Sequence, residues 1–398
     1  MKNKIQNLVA DYILKKLSKD SVAYQAVLQE IPLSFSFLRK CISNGLSIVR
    51  SGKKSFYPIA LCIESTAKCN LSCTMCPRTD LLTRGKGNMD FGLYKKIVDA
   101  VNPVFLTLAQ FGEPLLHPKI VEMVRYARNK KMVVRITTNA TLLTAELSQG
   151  LIDAQLSHLL ISFDSCTKNL LEKIRYGTDF GKVVANIKTL IELKNKKDSI
   201  YPIVGFNMTL NQDNIHEITD MIKFCLREFG MTPTFTKMYT YGEAKRADTC
   251  LTQADAKYLK EAYDYANSLN LNSVCENLNT IFADITEPVA GERPCFFPYY
   301  TTSVTWDGKV YPCCIYFNEQ VIFGDLSKEP FGKVWNSQGY QKFRKNLKGD
   351  RDGMSLCKTC PLIDIGINNA IFRYKPVSLL AGAIRGRSLK YISRKSHI

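Results

Sequence analysis

Between residues 58 and 240, short runs of β-branched and aromatic residues alternate with segments whose apolar positions recur at helical spacing. The runs are Ile59–Ile63, Val104–Leu108, Val133–Thr137, His158–Phe163, Ile203–Leu210 and Thr234–Met238. Strands alternating with helix-length segments predict an α/β fold built on a parallel sheet with right-handed crossovers. Six such units fit a partial (β/α)6 TIM-like barrel, and an open doubly wound sheet would give the same pattern. The polar residues favour the barrel. Cys69 follows the first run, Gly112-Glu113-Pro114 the second, Thr138-Asn139 the third and Asp164-Ser165 the fourth. All lie just past the C-terminal end of a predicted strand, and in a parallel barrel those ends form the face that carries chemistry.

Residues 252–285 read as one helix, with Tyr258, Leu259, Ala262, Tyr263 and Ala266 on its apolar stripe. From Gly291 the texture changes to short turns, aromatics and cysteines. The predicted organisation is an N-terminal helical arm over 1–57, a barrel over 58–290, a small cysteine-bearing domain over 291–362 and a C-terminal tail over 363–398.

A chain of 398 residues with 45% hydrophobic content can bury a large core. It contains no apolar run long enough to span a bilayer, and no apolar stretch follows the basic N-terminus as a secretory signal requires. A cytoplasmic location is expected. Thiols stay reduced there, so the 14 cysteines point to metal or redox chemistry rather than disulfides. The net charge of +18 is concentrated at the ends: residues 1–60 and 365–398 carry +7 each, leaving +4 for the 304 residues between. A nearly neutral body argues against nucleic acid as a partner. In the N-terminal arm Ile5, Leu8, Val9, Tyr12, Ile13 and Leu17 form a stripe, with Lys15, Lys16 and Lys19 outside it. In the tail an apolar segment, Val377 to Ile384, precedes Arg385, Arg387, Lys390, Arg394 and Lys395. Both arms suit packing on the barrel or peripheral attachment to an anionic membrane at its inner face, which would fit a lipid-linked substrate.

Cys69, Cys73 and Cys76 place three thiols within eight positions. Structural zinc favours closely paired cysteines supplying four ligands. Here the next histidine is His117 and the next cysteine Cys166. Three thiolates without a local fourth suit an iron–sulfur cube with one iron left open to a small molecule better than they suit zinc or buried thiols.

The Cys-x3-Cys-x2-Cys spacing after a first strand resembles the radical S-adenosylmethionine (SAM) enzymes. Gln110-Phe111-Gly112-Glu113-Pro114-Leu115-Leu116 is similar to that superfamily's Gly-Gly-Glu-Pro-Leu-Leu segment, which meets the SAM amino group. Thr137-Thr138-Asn139-Ala140-Thr141-Leu142-Leu143 is similar to its Thr-Asn-Gly-Thr-Leu-Leu segment, and Ile161-Ser162-Phe163-Asp164 to its Ser-Leu-Asp. Glu172-Lys173-Ile174-Arg175 is similar to a Glu-Lys-Ile-Arg whose arginine reaches the SAM carboxylate. The resemblance implies that Cys69, Cys73 and Cys76 hold a [4Fe-4S] cluster and are the catalytic set. It implies SAM contacts at Met75, Gly112, Glu113, Pro114, Thr138, Asn139, Ser162, Asp164 and Arg175. Two positions depart from the pattern: Phe111 replaces the first glycine, and Met75 stands where an aromatic residue usually lies against adenine.

A second set, Cys295, Cys313, Cys357 and Cys360, has the order Cys-x17-Cys-x43-Cys-x2-Cys. Trp306 to Cys313 reads as a hairpin turning at Asp307-Gly308 and delivering Cys313 at the end of its second strand. Spacing alone fits zinc or iron–sulfur. The context resembles the SPASM or shorter twitch extension of radical SAM enzymes, which implies one auxiliary [4Fe-4S] cluster, since no cysteine follows Cys360. Cys314 competes with Cys313, but adjacent strand residues point opposite ways and one of the two ligates.

The resemblance implies reductive cleavage of SAM, hydrogen abstraction from a substrate, and an auxiliary cluster that aids electron transfer. It also implies a reductant partner such as flavodoxin or ferredoxin. The first expectation for the substrate is a small or lipid-linked metabolite such as a sugar. The alternatives are a peptide, as in SPASM-type maturases, or a non-catalytic metal-cluster scaffold that binds a partner through its basic arms.

Overall fold

All six apolar runs form strands of a single sheet in the computed structural model. The structure describes residues 55–79, 82–239, 247–286, 297–314 and 321–347, with Ser43, Cys295, Tyr316, Met354, Cys357 and Cys360. Both basic arms, with the amphipathic stripe and the apolar tail segment expected in them, lie outside the described residues. Among the described residues no helix is long and apolar enough to cross a membrane.

The strands are β1 (Ala60–Ile63), β2 (Phe105–Leu108), β3 (Val133–Thr138), β4 (His158–Ser162), β5 (Ile203–Leu210) and β6 (Pro233–Lys237). Each pairs in parallel with the one before it, and the full order is β6-β5-β4-β3-β2-β1-β7-β8. Winding that never reverses direction puts right-handed crossover helices on one face, as in a barrel. A doubly wound sheet would need a reversal. The burial pattern agrees. Leu61, Ile63, Leu106, Leu108, Val134, Ile136, Leu159 and Ile161 share one core with the helices, while their strand neighbours Cys62, Thr107, Arg135 and His158 are half-buried or exposed.

The first helix shows how the sequence sets these elements. In α1 (Phe91–Val101) the Asp90 side chain accepts the Leu93 N–H, a polar N-cap. Tyr94, Ile97, Val98 and Val101 then fall on one buried stripe, and Asn102 ends the helix in a left-handed conformation.

Two features differ from the sequence reading. The single helix expected over 252–285 is two, α7 (Ala256–Ser268) and α8 (Asn272–Thr286), separated by a turn with Asn270 at φ 55°. The break lets α8 return along the sheet edge, where the Asn277 amide bonds both the Phe235 N–H and its carbonyl at 2.7 and 3.0 Å. The other feature is the cysteine-rich segment, which joins the barrel sheet. There β7 (Thr301–Val304) pairs in parallel with β1, and β8 (Val310–Tyr311) pairs antiparallel with β7. The hairpin read at Asp307-Gly308 is present, with Gly308 at φ 90° donating to the Thr305 carbonyl at 2.9 Å.

Candidate active site

The loop from β1 carries Cys69, Cys73 and Cys76 and is gripped from three sides. The Ser72 and Thr74 N–H groups donate to the carbonyls of Tyr176 and Ile174 at 3.0 and 2.9 Å. The buried Arg78 donates to the Leu71 carbonyl at 2.7 Å, and Glu113 N–H to the Lys68 carbonyl at 2.8 Å. Gly112 lies so close to this loop that an added Cβ would collide with the Thr66 carbonyl and lie 2.8 Å from the Lys68 oxygen. Only glycine fits there. The three thiols lie within electrostatic reach of one another. Burial pushes Cys73 up to about 11, with Arg175 opposing and Cys76 and Cys69 adding like charge. Burial likewise raises Cys69.

The residues expected to contact SAM come together at this loop. Glu113 is fully enclosed; its carboxylate accepts from the Thr138 hydroxyl at 2.7 Å, the Asn139 N–H at 2.8 Å and the Leu115 N–H at 3.1 Å. Burial is the main cause that raises its pKa. Asn139 donates to the Asn70 side chain at 3.1 Å, and Asn70 donates to Thr141 at 2.8 Å, tying the third-strand loop to the cysteine loop. Pro114 opens a short 3-10 turn. Asp164 accepts the Thr209 N–H at 2.7 Å and pairs with Arg175 at 2.5 Å. The Arg175 guanidinium lies within electrostatic reach of Cys73 and Cys76. Ser162 stands on the half-buried face of β4 in register with Asn207, and Met75 is half-buried in the cysteine loop. Glu113, Thr138 and Asn139 thus spend much of their polar capacity bracing the loops, a role the motif alone does not reveal.

A cluster with an amino-acid-bearing ligand fits what is left over. The Gln110 amide, at the end of β2, is buried with neither oxygen nor nitrogen hydrogen-bonded, and Arg175 Nε is likewise buried without a partner. Unpaired buried polar atoms are costly and call for a partner. An ammonium and a carboxylate supply the complementary groups. His117 does not serve as a fourth ligand: its Nε2–H donates to the Met89 carbonyl at 2.9 Å and its Nδ1 accepts the Lys119 N–H at 3.1 Å. Among the described residues no three His, Cys, Asp or Glu side chains converge tightly enough to hold one metal ion. A cube takes one thiolate per iron, so its ligands do not converge on one centre.

The second set assembles around Tyr316. Cys295, Cys313 and Cys357 pack against the cluster of Tyr311, Tyr316, Phe343 and Leu347. Tyr316 hydroxyl lies 3.1 Å from Cys357 Sγ, and Cys313 and Cys360 also act on it electrostatically. Cys314 is exposed and lies within electrostatic reach of Cys62 and Arg135, and also of Tyr300, on which Cys295 and Cys313 act. Both Cys313 and Cys314 lie past β8, which ends at Tyr311, in a bend and turn, so the strand alternation expected to separate them does not apply.

Several parts of the site carry no motif in the sequence. Glu64, at the end of β1, is buried against Arg84 at 2.5 Å and accepts the Trp306 N–H at 3.4 Å, while the Trp306 indole donates to the Gly85 carbonyl at 3.0 Å. This joins the C-terminal hairpin to the barrel mouth. Glu217 accepts from Ser165 and Thr167 hydroxyls, both at 2.6 Å, and orders the loop after β4. Cys62 lies on the inner face, and its thiol is pushed up to about 12, chiefly by burial. Cys225 and Cys275 are core residues.

Three thiols in one loop at a barrel mouth, beside a separate four-thiol set, fit an iron–sulfur protein with one open cluster site. Comparison with known families agrees: the model described as "Radical SAM superfamily" matches residues 63–225, and the SPASM "Iron-sulfur cluster-binding domain" matches residues 295–361. The chain belongs to the radical SAM superfamily and carries a C-terminal SPASM domain. It is a radical SAM enzyme whose cofactors are SAM, a [4Fe-4S] cluster and auxiliary iron–sulfur.

The chain is similar to the tungsten-containing aldehyde ferredoxin oxidoreductase cofactor-modifying protein of Pyrococcus furiosus, 24% identical over 313 residues, 71% of this chain and 82% of that one. It is also similar to the PqqA peptide cyclase of Gluconobacter oxydans, 24% identical over 289 residues, 70% of this chain and 76% of that one. In fold it resembles Streptococcus suis SuiB, solved bound to the precursor peptide SuiA, with a TM-score of 0.60 and 15% identity over 79% of this chain and 74% of that one.

Proposed function

We propose that this chain is a peptide-modifying radical SAM enzyme, in which Cys69, Cys73 and Cys76 hold the SAM-binding cluster and Cys295, Cys313, Cys357 and Cys360 hold one auxiliary cluster. The observation that carries the substrate class is the match to a peptide cyclase over three quarters of that protein's length. It weighs against the small or lipid-linked metabolite first expected from sequence. The open inner face of the sheet, half-exposed from Cys62 on β1 to Thr236 on β6, supports the same reading by offering length to an extended segment.

When bound, the cluster and SAM supply a one-electron cleavage that yields methionine and a 5′-deoxyadenosyl radical able to abstract hydrogen. The protein residues bind and orient. Gly112 admits the second-strand loop against the cysteine loop, and Glu113 fixes it to Thr138 and Asn139. Gln110 and Arg175 offer unpaired polar atoms to the amino-acid end of SAM. Asp164 holds Arg175 in place. The reductant is a flavodoxin or ferredoxin. A radical SAM core and its reductant operate in the cytoplasm, where iron–sulfur thiolates stay reduced.

The test incubates reconstituted full-length enzyme with SAM and dithionite against a peptide library and, separately, sugars and lipid-linked sugars. Peptides should raise 5′-deoxyadenosine above the substrate-free level and lose two hydrogens or gain a cross-link by mass spectrometry. Stimulation by the sugars alone would overturn the peptide reading. In Cys357→Ala, SAM cleavage should persist while the peptide leaves unmodified.

A further inference from the structure

Strand register aligns one layer of side chains across the inner face of the sheet: Ser303, Cys62, Thr107, Arg135 and His158. Partners in register point to the same side of a sheet. The opposite side of these strands is buried under the helices. Arg135 is therefore a charged residue at the centre of the concave face, two strands from β1 and its cysteine loop. It is exposed, and it lies within electrostatic reach of Cys62 and Cys314, the thiol that the auxiliary set does not use.

Among the described residues the guanidinium has no counter-ion. Arg84 pairs with Glu64, Arg175 with Asp164 and Lys237 with Asp284. No described residue forms an ion pair or hydrogen bond with the Arg135 side chain, and its layer neighbours Ser303, Cys62 and Thr107 bring no carboxylate. Nothing in the packing calls for arginine in mid-strand, where a β-branched residue would be favoured. A planar fork of exposed donors on the inner face is suited to a bidentate carboxylate.

We propose that Arg135 is the substrate's carboxylate anchor: the segment that enters the inner face presents an acidic group, either an acidic side chain or a chain-terminal carboxylate, to this guanidinium. The proposal rests on the peptide reading above. It makes Arg135 a specificity residue, seating an acidic group in the layer below the cysteine loop and so fixing which neighbouring residue of the substrate lies near SAM.

The experiment uses reconstituted full-length enzyme with SAM and four probes: N-acetyl-Ala-Glu-Ala-amide, its Gln counterpart, N-acetyl-Ala-Gln-Ala with a free carboxylate, and glutarate. Phenylglyoxal modification of Arg135 is followed by peptide mass mapping, and binding by calorimetry. At least one carboxylate tripeptide should slow modification and bind about tenfold tighter than the amide tripeptide, the strength expected of a charge-assisted pair. Which of the two does so identifies the source of the carboxylate. In Arg135→Gln that advantage should vanish while the amide tripeptide binds as before, a pattern that general misfolding would not give. Protection by glutarate and by no peptide would keep the anion site and remove the peptide reading. Equal binding and equal modification with every probe would overturn the proposal.

Discussion

Gly112 is the residue on which the cofactor loops close. Its missing side chain lets the β2 loop lie against the Thr66 and Lys68 carbonyls, and Glu113 then reaches Thr138 and Asn139. Gly112→Ala should separate these loops without unfolding the core. The expected result is loss of the first cluster alone, read as a fall of about four irons per chain with the auxiliary cluster kept. A full iron count in this variant would contradict the close-contact account. The importance of Gly112 is legible in sequence through its motif, whereas the bracing role of Glu113 is not, because its partners lie 25 and 26 residues away. Arg135 is hidden for another reason. A charged residue in a strand reads as a solvent-facing position, and only the register places it in one layer with Cys62 and Thr107 on the side away from the helices.

At the level of elements, β4 and the short helix α4 (Lys168–Ile174) are joined by the Asp164–Arg175 pair, with side chains only 0% and 11% exposed. Removing one partner of a buried pair leaves the other charge uncompensated. Asp164→Asn should therefore destabilise the chain by about 3–5 kcal/mol in denaturant unfolding. Combining it with Arg175→Met should restore part of that loss, and a further loss instead would show that the pair is not coupled. The six strands were legible because their apolar alternation has period two and is set locally. The helix break at Asn270 was not, because it answers to the unpaired edge of β6, which Asn277 covers. The pairing of β7 with β1 was hidden for the same reason: more than 200 residues separate the two strands.

For the molecule as a whole, two thiol sets serve one barrel. The first sits at the mouth on the β1 loop, and the second is held by the hairpin whose first strand extends the same sheet. Glu64, Arg84 and Trp306 bind hairpin and mouth together, so the auxiliary set is fixed relative to the inner face rather than tethered to it. Cys314 and Cys313 lie at the boundary, the first within electrostatic reach of Arg135 and the second packed against the Tyr311, Tyr316, Phe343 and Leu347 cluster.

The most direct measurement is anaerobic reconstitution of the full chain with iron and sulfide, followed by dithionite and SAM, reading metal content and 5′-deoxyadenosine together. About eight irons per chain are expected, two cubes of four, with 5′-deoxyadenosine formed and its formation abolished in Cys73→Ala. Zinc at both sites with no SAM cleavage would contradict it.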